Sequence, residues 1–325
     1  MIRHAVVIVI AGALALPQCD SAWAISATED TVNRLQLLKI PAAAPPKKTL
    51  YPNIDLSRPN SKAGNPPNPV SLPVDAGPGA DGPPVAAAIG AVPSVVVLSE
   101  SMKPDQGYLC AGVLVAANWV LTAAHCTFNL ARRWPNDAAL YAFTATELLT
   151  APGPDFAVTS IVTHPQYDAH TLRNDLALLK IDTKGAAVGP PIRLDGPPIA
   201  GQVGEIGSIF GWGISTSAAE QQSAELQLIQ ATVMDQGVCF SAANFASLRN
   251  TGVFCARSIL QYRDFCSKFG GSPMILLDSK GQQYLGGLVS WSAVCPADER
   301  KPNVYLDIQF FLPWIKSVIA DKASY

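Results

Sequence analysis

From about residue 85 onward the chain alternates short apolar runs with turn residues and shows little of the 3.6-residue period of a helix. Runs at 93–98, 111–115, 119–122, 156–162, 175–181, 202–211, 226–233, 273–277, 284–291 and 303–307 predict strands. Many short strands at fairly even spacing imply an all-β antiparallel barrel or sandwich. One helical pattern closes the chain. Over 308–320, Phe311, Ile315, Val318 and Ile319 fall on one side, which predicts a terminal amphipathic helix.

Upstream of residue 85 the pattern changes twice. Residues 41–84 carry Pro45, Pro46, Pro66, Pro67, Pro69, Pro73, Pro78, Pro83 and Pro84 with Gly and Asn between them. Proline fixes φ and removes backbone donors, so this stretch predicts an extended linker or strap. Just before it, Val32, Leu35 and Leu38 follow Glu29 and Asp30 at helical spacing, as in a short amphipathic helix. The first residues read differently again. Arg3 and His4, an apolar run from Ala5 to Leu16, and Ala22-Trp23-Ala24 describe a secretory signal cleaved after Ala24. The run is too short to span a bilayer. The expected division is 1–24 signal, 25–84 Pro-rich extension and 85–325 folded domain.

Composition narrows the function classes. A hydrophobic fraction of 49% is ample for a buried core, and a net charge of −2 leaves no basic stripe for nucleic acid. Losing Cys19 with the signal leaves Cys110, Cys126, Cys239, Cys255, Cys266 and Cys295. An even number in an exported chain points to disulfides, although six cysteines allow fifteen pairings. No close Cys-x-x-Cys or Cys/His pattern suggests zinc, so no metal and no cofactor is expected.

Three stretches carry chemistry. His125 lies in Leu121-Thr122-Ala123-Ala124-His125-Cys126, and Asp175 in Asn174-Asp175-Leu176-Ala177-Leu178, a polar residue entering an apolar strand. An aspartate there needs hydrogen-bond donors to offset burial. The third stretch is Asp264-Phe265-Cys266-Ser267-Lys268-Phe269-Gly270-Gly271-Ser272-Pro273-Met274. Together with Gly211-Trp212-Gly213, His164-Pro165, Leu288-Val289-Ser290-Trp291 and Pro302-Asn303-Val304-Tyr305, these stretches resemble the trypsin-like (chymotrypsin-family) serine proteases over about 93–325.

The resemblance implies two packed six-stranded antiparallel β-barrels with a site in the cleft between them. It implies that His125 holds the general-base position, that Asp175 orients it, and that Ser290 helps satisfy Asp175. It also selects the pairings Cys110–Cys126, Cys239–Cys255 and Cys266–Cys295. The family's nucleophile loop runs Cys-x-Gly-Asp-Ser-Gly-Gly-Pro. Laid ungapped on Cys266 and Pro273, it puts Gly270 at the nucleophile and Phe269 at the aspartate that receives a new N-terminus on activation. Lys268 falls where a glycine helps form the oxyanion hole, with Gly270 as that hole's second position. Asp264 falls where trypsin-like members select Arg or Lys, while Ser292 and Asn303 replace glycines that keep that pocket open.

Glycine offers no oxygen for an acyl-enzyme. The leading expectation is therefore an inactive, secreted or periplasmic protease homologue that binds a protein or peptide. The alternative is an active endopeptidase using Ser272. Two residues of extended chain move an atom by about 6–7 Å, whereas a nucleophile must lie about 3 Å from its base. A third possibility is an envelope-associated structural module tethered through the Pro-rich segment.

Overall fold

The computed structural model describes residues 85–86, 89–133, 139–213, 222–241, 245–259, 268–292 and 302–321. The expected signal, the Pro-rich extension, Asp264, Cys266 and Cys295 lie outside them.

In chain order the strands are β1 (Val85–Ala86), β2 (Val95–Ser99), β3 (Tyr108–Ala116), β4 (Trp119–Thr122), β5 (Tyr141–Phe143), β6 (Asp155–Thr163) and β7 (Ala177–Ile181). They continue with β8 (Ile206–Gly211), β9 (Gln227–Val233), β10 (Val253–Ser258), β11 (Pro273–Leu277), β12 (Gln283–Ser292) and β13 (Asn303–Asp307). Helices α1 (Pro104–Gly107), α2 (Ala124–Arg133), α3 (Gln236–Cys239) and α4 (Ile308–Asp321) lie between or after them.

Strands β2-β3-β4-β7-β6-β5 close into one antiparallel barrel. In the second, β9-β10-β13-β12-β11-β8 closes through the β8–β9 pairing, and β1 pairs with Gln227 and Leu228 at the end of β9 that β10 does not reach. The expected pair of six-stranded barrels is what the chain forms. Closure removes the free strand edges that an open sheet would present.

Both faces of several strands are buried, which explains why their sequences read as apolar runs rather than as strict alternation. In β2, Val96 and Leu98 join a cluster with Leu114, Val120, Leu179 and Ile181, all from the first barrel. Val95 and Val97 turn the other way, into a cluster shared with Phe210, Trp212, Leu288, Leu306 and Phe311 from the second half. A further cluster built on Ile209, Phe254, Phe269, Met274 and Tyr305 belongs to the second barrel. The shared cluster holds the two barrels together.

Several elements differ from expectation for local reasons. The strand expected at 175–181 begins only at Ala177. Asn174 adopts a left-handed φ of 52°, and the Leu176 amide donates to the Asn174 carbonyl at 2.7 Å, so Asp175 sits in a tight turn. The strand expected at 202–211 begins at Ile206, because Gly204 (φ 88°) and the Glu205–Gln202 backbone bond make a turn. Three-residue β5, strand β10 and helix α2 carry no strong run and escaped the sequence reading. The signal for α2 is the buried spacing Cys126, Thr127 and Leu130. Helix α4 buries Ile308, Phe311 and Ile315, with Val318 and Ile319 packed at its margin, as its periodicity implied.

Candidate functional site

The pairing of β4 with β7 builds the first half of the site. Thr122 ends β4 opposite Ala177, which starts β7. The antiparallel ladder therefore delivers the segments just beyond these residues, carrying His125 and Asp175, to the same end of the barrel.

Asp175 is completely buried and fully engaged. Its Oδ1 accepts the backbone N–H of His125 at 2.7 Å, and its carbonyl accepts that of Ala124 at 3.1 Å. These amides open helix α2 and would otherwise lack partners, and a negative charge at a helix start is favoured by the dipole. Its Oδ2 accepts from His125 Nδ1 at 2.8 Å and from the Ser290 hydroxyl at 2.6 Å. Ser290 reaches it from a bulge in β12, where the register with β13 shifts between Val289 and Trp291. Three donors from both barrels thus offset the burial of one carboxylate.

The carboxylate fixes the imidazole. With Nδ1–H pointed at Asp175, the neutral ring turns its Nε2 lone pair outward. The His125 side chain is 32% exposed, so one edge meets solvent. Burial is the largest single influence and disfavours the imidazolium, but the charge and hydrogen bond of Asp175 together outweigh it. The result is a pKa above the usual histidine value.

The second barrel contributes the loop 268–272. The Gly270 carbonyl accepts from the Ala111 amide at 3.1 Å, and the Tyr108 hydroxyl donates to the Lys268 carbonyl at 3.1 Å. The Gly271 amide donates to the Val289 carbonyl at 2.9 Å. Gly271 has a φ of 73°, and a Cβ there would collide with the Ala111 carbonyl and Thr122 Oγ1, so no other residue fits without rearrangement. Lys268 adopts a left-handed φ of 60° without being glycine. Its ammonium donates to Gln222 Oε1 at 3.1 Å.

Gly270 faces His125 directly. A Cβ built on it would overlap His125 Nε2 and lie 2.9 Å from Cε1 and 3.1 Å from Cys110 Sγ. The imidazole occupies the space a side chain would need. Ser272 points elsewhere. It is fully buried, its Oγ lies against Gly211, and among the described residues that oxygen has no hydrogen-bond partner. Phe269 is 1% exposed and packs within the second barrel's own cluster.

The remaining expected residues are partly in view. Ser292 and Asn303 face each other across the β12–β13 ladder, Asn303 buried and Ser292 half-buried. Asp264, the other residue of the expected pocket, is outside the described residues. Disulfides Cys110–Cys126 and Cys239–Cys255 are present, each with a Cα separation of 6.0 Å. Cys266 and Cys295 are not described.

Sequence reasoning missed Tyr108, and it placed the Cys110–Cys126 bond beside His125 only through the resemblance. Tyr108 anchors the loop from 160 residues away, a contact no local pattern announces. Cys126 Sγ lies 3.6 Å from His125 Nε2. The adjacency of His125 and Cys126 in sequence was the available signal.

Comparison with known proteins agrees with this geometry. The family described as Trypsin matches residues 85–315. The chain is 29% identical to human Serine protease 1 over 66% of its length and 82% of that protein. It is 32% identical to rat Serine protease 57 over 65% of its length and 73% of that protein. It is also 26% identical to mouse Transmembrane protease serine 11G over 75% of its length, spanning 58% of that longer protein. A catalytic-type histidine–aspartate pair between two six-stranded barrels, and a family match over most of the folded region, make this chain a member of the trypsin family of serine proteases.

Proposed function

We propose that this chain is a catalytically inactive trypsin-family homologue, exported through a signal cleaved after Ala24, which acts by binding a protein or peptide. One observation carries the reading: opposite His125 Nε2 stands Gly270, with no side-chain oxygen and no space for one while the imidazole keeps its position. Covalent acyl transfer needs a nucleophile within hydrogen-bond reach of its base. His125, Asp175 and Ser290 retain the base and its support, so what this position lacks is the attacking atom.

Two neighbouring substitutions support the same conclusion. Phe269 fills apolar space where an activation aspartate would need to receive a charged N-terminus. Lys268 stands where the oxyanion hole takes a glycine amide. The Pro-rich residues 25–84 serve as a linker or strap ahead of a protease-like domain at 85–325. Two disulfides fit an oxidising compartment, and among the described residues no helix is long and apolar enough to cross a membrane.

The test is reaction of the purified mature protein with a fluorophosphonate probe, with mass mapping of any adduct. The expected result is no adduct. A His125-dependent adduct on Ser272 would instead establish an endopeptidase with a displaced nucleophile.

A further inference from the structure

In the loop that faces His125, three successive residues point in three directions. The Lys268 ammonium reaches Gln222, the Phe269 ring enters the core of the second barrel, and Gly270 meets His125 Nε2. Lys268 and Gly271 both adopt left-handed φ values, 60° and 73°. A non-glycine residue keeps such a conformation only where its surroundings over-determine it. The loop therefore needs a pin.

We propose that Phe269 is that pin, a positioning residue that seats residues 268–272 against His125 and keeps the site assembled whether or not the N-terminal extension is cut. The ring is 1% exposed and shares its cluster with Ile199, Ile209, Met274, Val289 and Tyr305. It lies against Gly211, where a Cβ would come within 2.8 Å of Cδ1 and 3.0 Å of Cε1, so the glycine leaves the room the ring uses. Hydrogen bonds then fix the backbone around it. The Ser272 amide donates to the Phe269 carbonyl and the Gly271 amide to the Val289 carbonyl, both at 2.9 Å. Ala111 and Tyr108 hold the carbonyls of Gly270 and Lys268. Each of these partners lies at or beyond Tyr108 in the chain.

The extension joins the domain beside this seat. Ala86 of β1 pairs with Gln227 of β9, and Gln227 pairs with Gly211, on which the Phe269 ring rests. A cut shortly before Val85 would free a charged amine close by. The ring and its apolar cluster offer that amine no carboxylate, and burying it unpaired is unfavourable. Where the resemblance implies an aspartate that responds to cleavage, this chain carries a permanent anchor. The consequence, a cleft ready to bind a peptide without processing, rests on the inactive-homologue reading. The seating of the loop does not, and its readouts are separate from fluorophosphonate labelling.

The test uses the full chain with a protease recognition sequence inserted between Gly79 and Ala80, compared before and after the cut. Amide hydrogen exchange and the His125 titration are read by NMR. The expected result is no change: the Ala111 and Gly271 amides keep their protection and the His125 midpoint stays in place. Gain of protection on cutting, or a moved midpoint, overturns the proposal. In the uncut chain, Phe269→Asp should speed exchange of both amides at least ~10-fold by removing a buried aromatic. Its His125 midpoint should rise, because a released loop lifts part of the burial that disfavours the imidazolium. A general loss of stability would not move that midpoint. Phe269→Ala, which adds no charge and serves if the aspartate variant does not fold, should move both readings the same way. Phe269→Leu should leave them near those of the parent. Unchanged exchange and midpoint in Phe269→Ala overturn the assignment of the pin.

Discussion

Gly270 and His125 divide one small volume between them, and that division governs what a substitution can do. Restoring a serine at Gly270 adds a Cβ where Nε2 now lies, so the ring must withdraw from a position held by Asp175 at 2.8 Å. Overpacking of this kind costs about 1–3 kcal/mol. Gly270→Ser should therefore lower the urea midpoint and gain no fluorophosphonate labelling; strong labelling would show that the ring yields easily. Two histidines also shift in opposite directions. His125 is raised by Asp175, so its stabilising contribution is full below the ordinary histidine range and lost as pH climbs through its higher folded value. His164 is lowered by burial, so stability falls as pH drops below that range towards its folded value. NMR titration should place the His125 midpoint above the ordinary histidine value of about 6.5 and the His164 midpoint below it.

At the scale of elements, the terminal helix shows how far a pattern can be trusted. Its apolar spacing predicted a helix over 308–320, and α4 runs Ile308–Asp321. What the pattern could not supply was the partner. Phe311 lies 5.6 Å from the His164 ring and Trp314 lies 4.9 Å from it, so α4 closes over the end of β6. Removing a buried aromatic typically costs about 3–5 kcal/mol. Phe311→Ala should lower stability by that order in chemical denaturation and move the His164 titration towards its ordinary value. An unmoved His164 midpoint would mean that Phe311 is not what desolvates it. Strand β10 and helix α2 were less legible because their signals are short, and pairing partners far away in sequence decide them. Val253 pairs with Leu306, and α2 is capped by a carboxylate from residue 175.

Across the whole molecule, one cluster couples the barrels. Leu121 and Leu178 of the first meet Leu288 and Leu306 of the second within it. Burial on this scale makes separate melting of the barrels unfavourable. Unfolding should be a single transition with coincident near-ultraviolet dichroism and tryptophan fluorescence. Leu288→Ala should shift both probes together by about 2–5 kcal/mol; a split into two transitions would show independently stable barrels. Under the proposed cleavage after Ala24, the mature chain should begin at Ile25, which intact mass measurement checks directly.

The sequence by itself determined the strand-rich class and the terminal helix, which follow from local composition and periodicity that the chain carries regardless of how it folds. Two of the disulfide pairings, and the attention drawn to His125, Asp175 and Gly270, came through the family resemblance instead. Only the tertiary structure decided that Asp175 stands in a turn and caps α2, that Tyr108 anchors the loop at Lys268, and that Ser272 turns away against Gly211. It alone set Gly270 so close to the imidazole that a Cβ there would overlap Nε2. Each of these depends on strands far apart in sequence meeting in register, and the geometry of such meetings is set by packing rather than by any local run of residues.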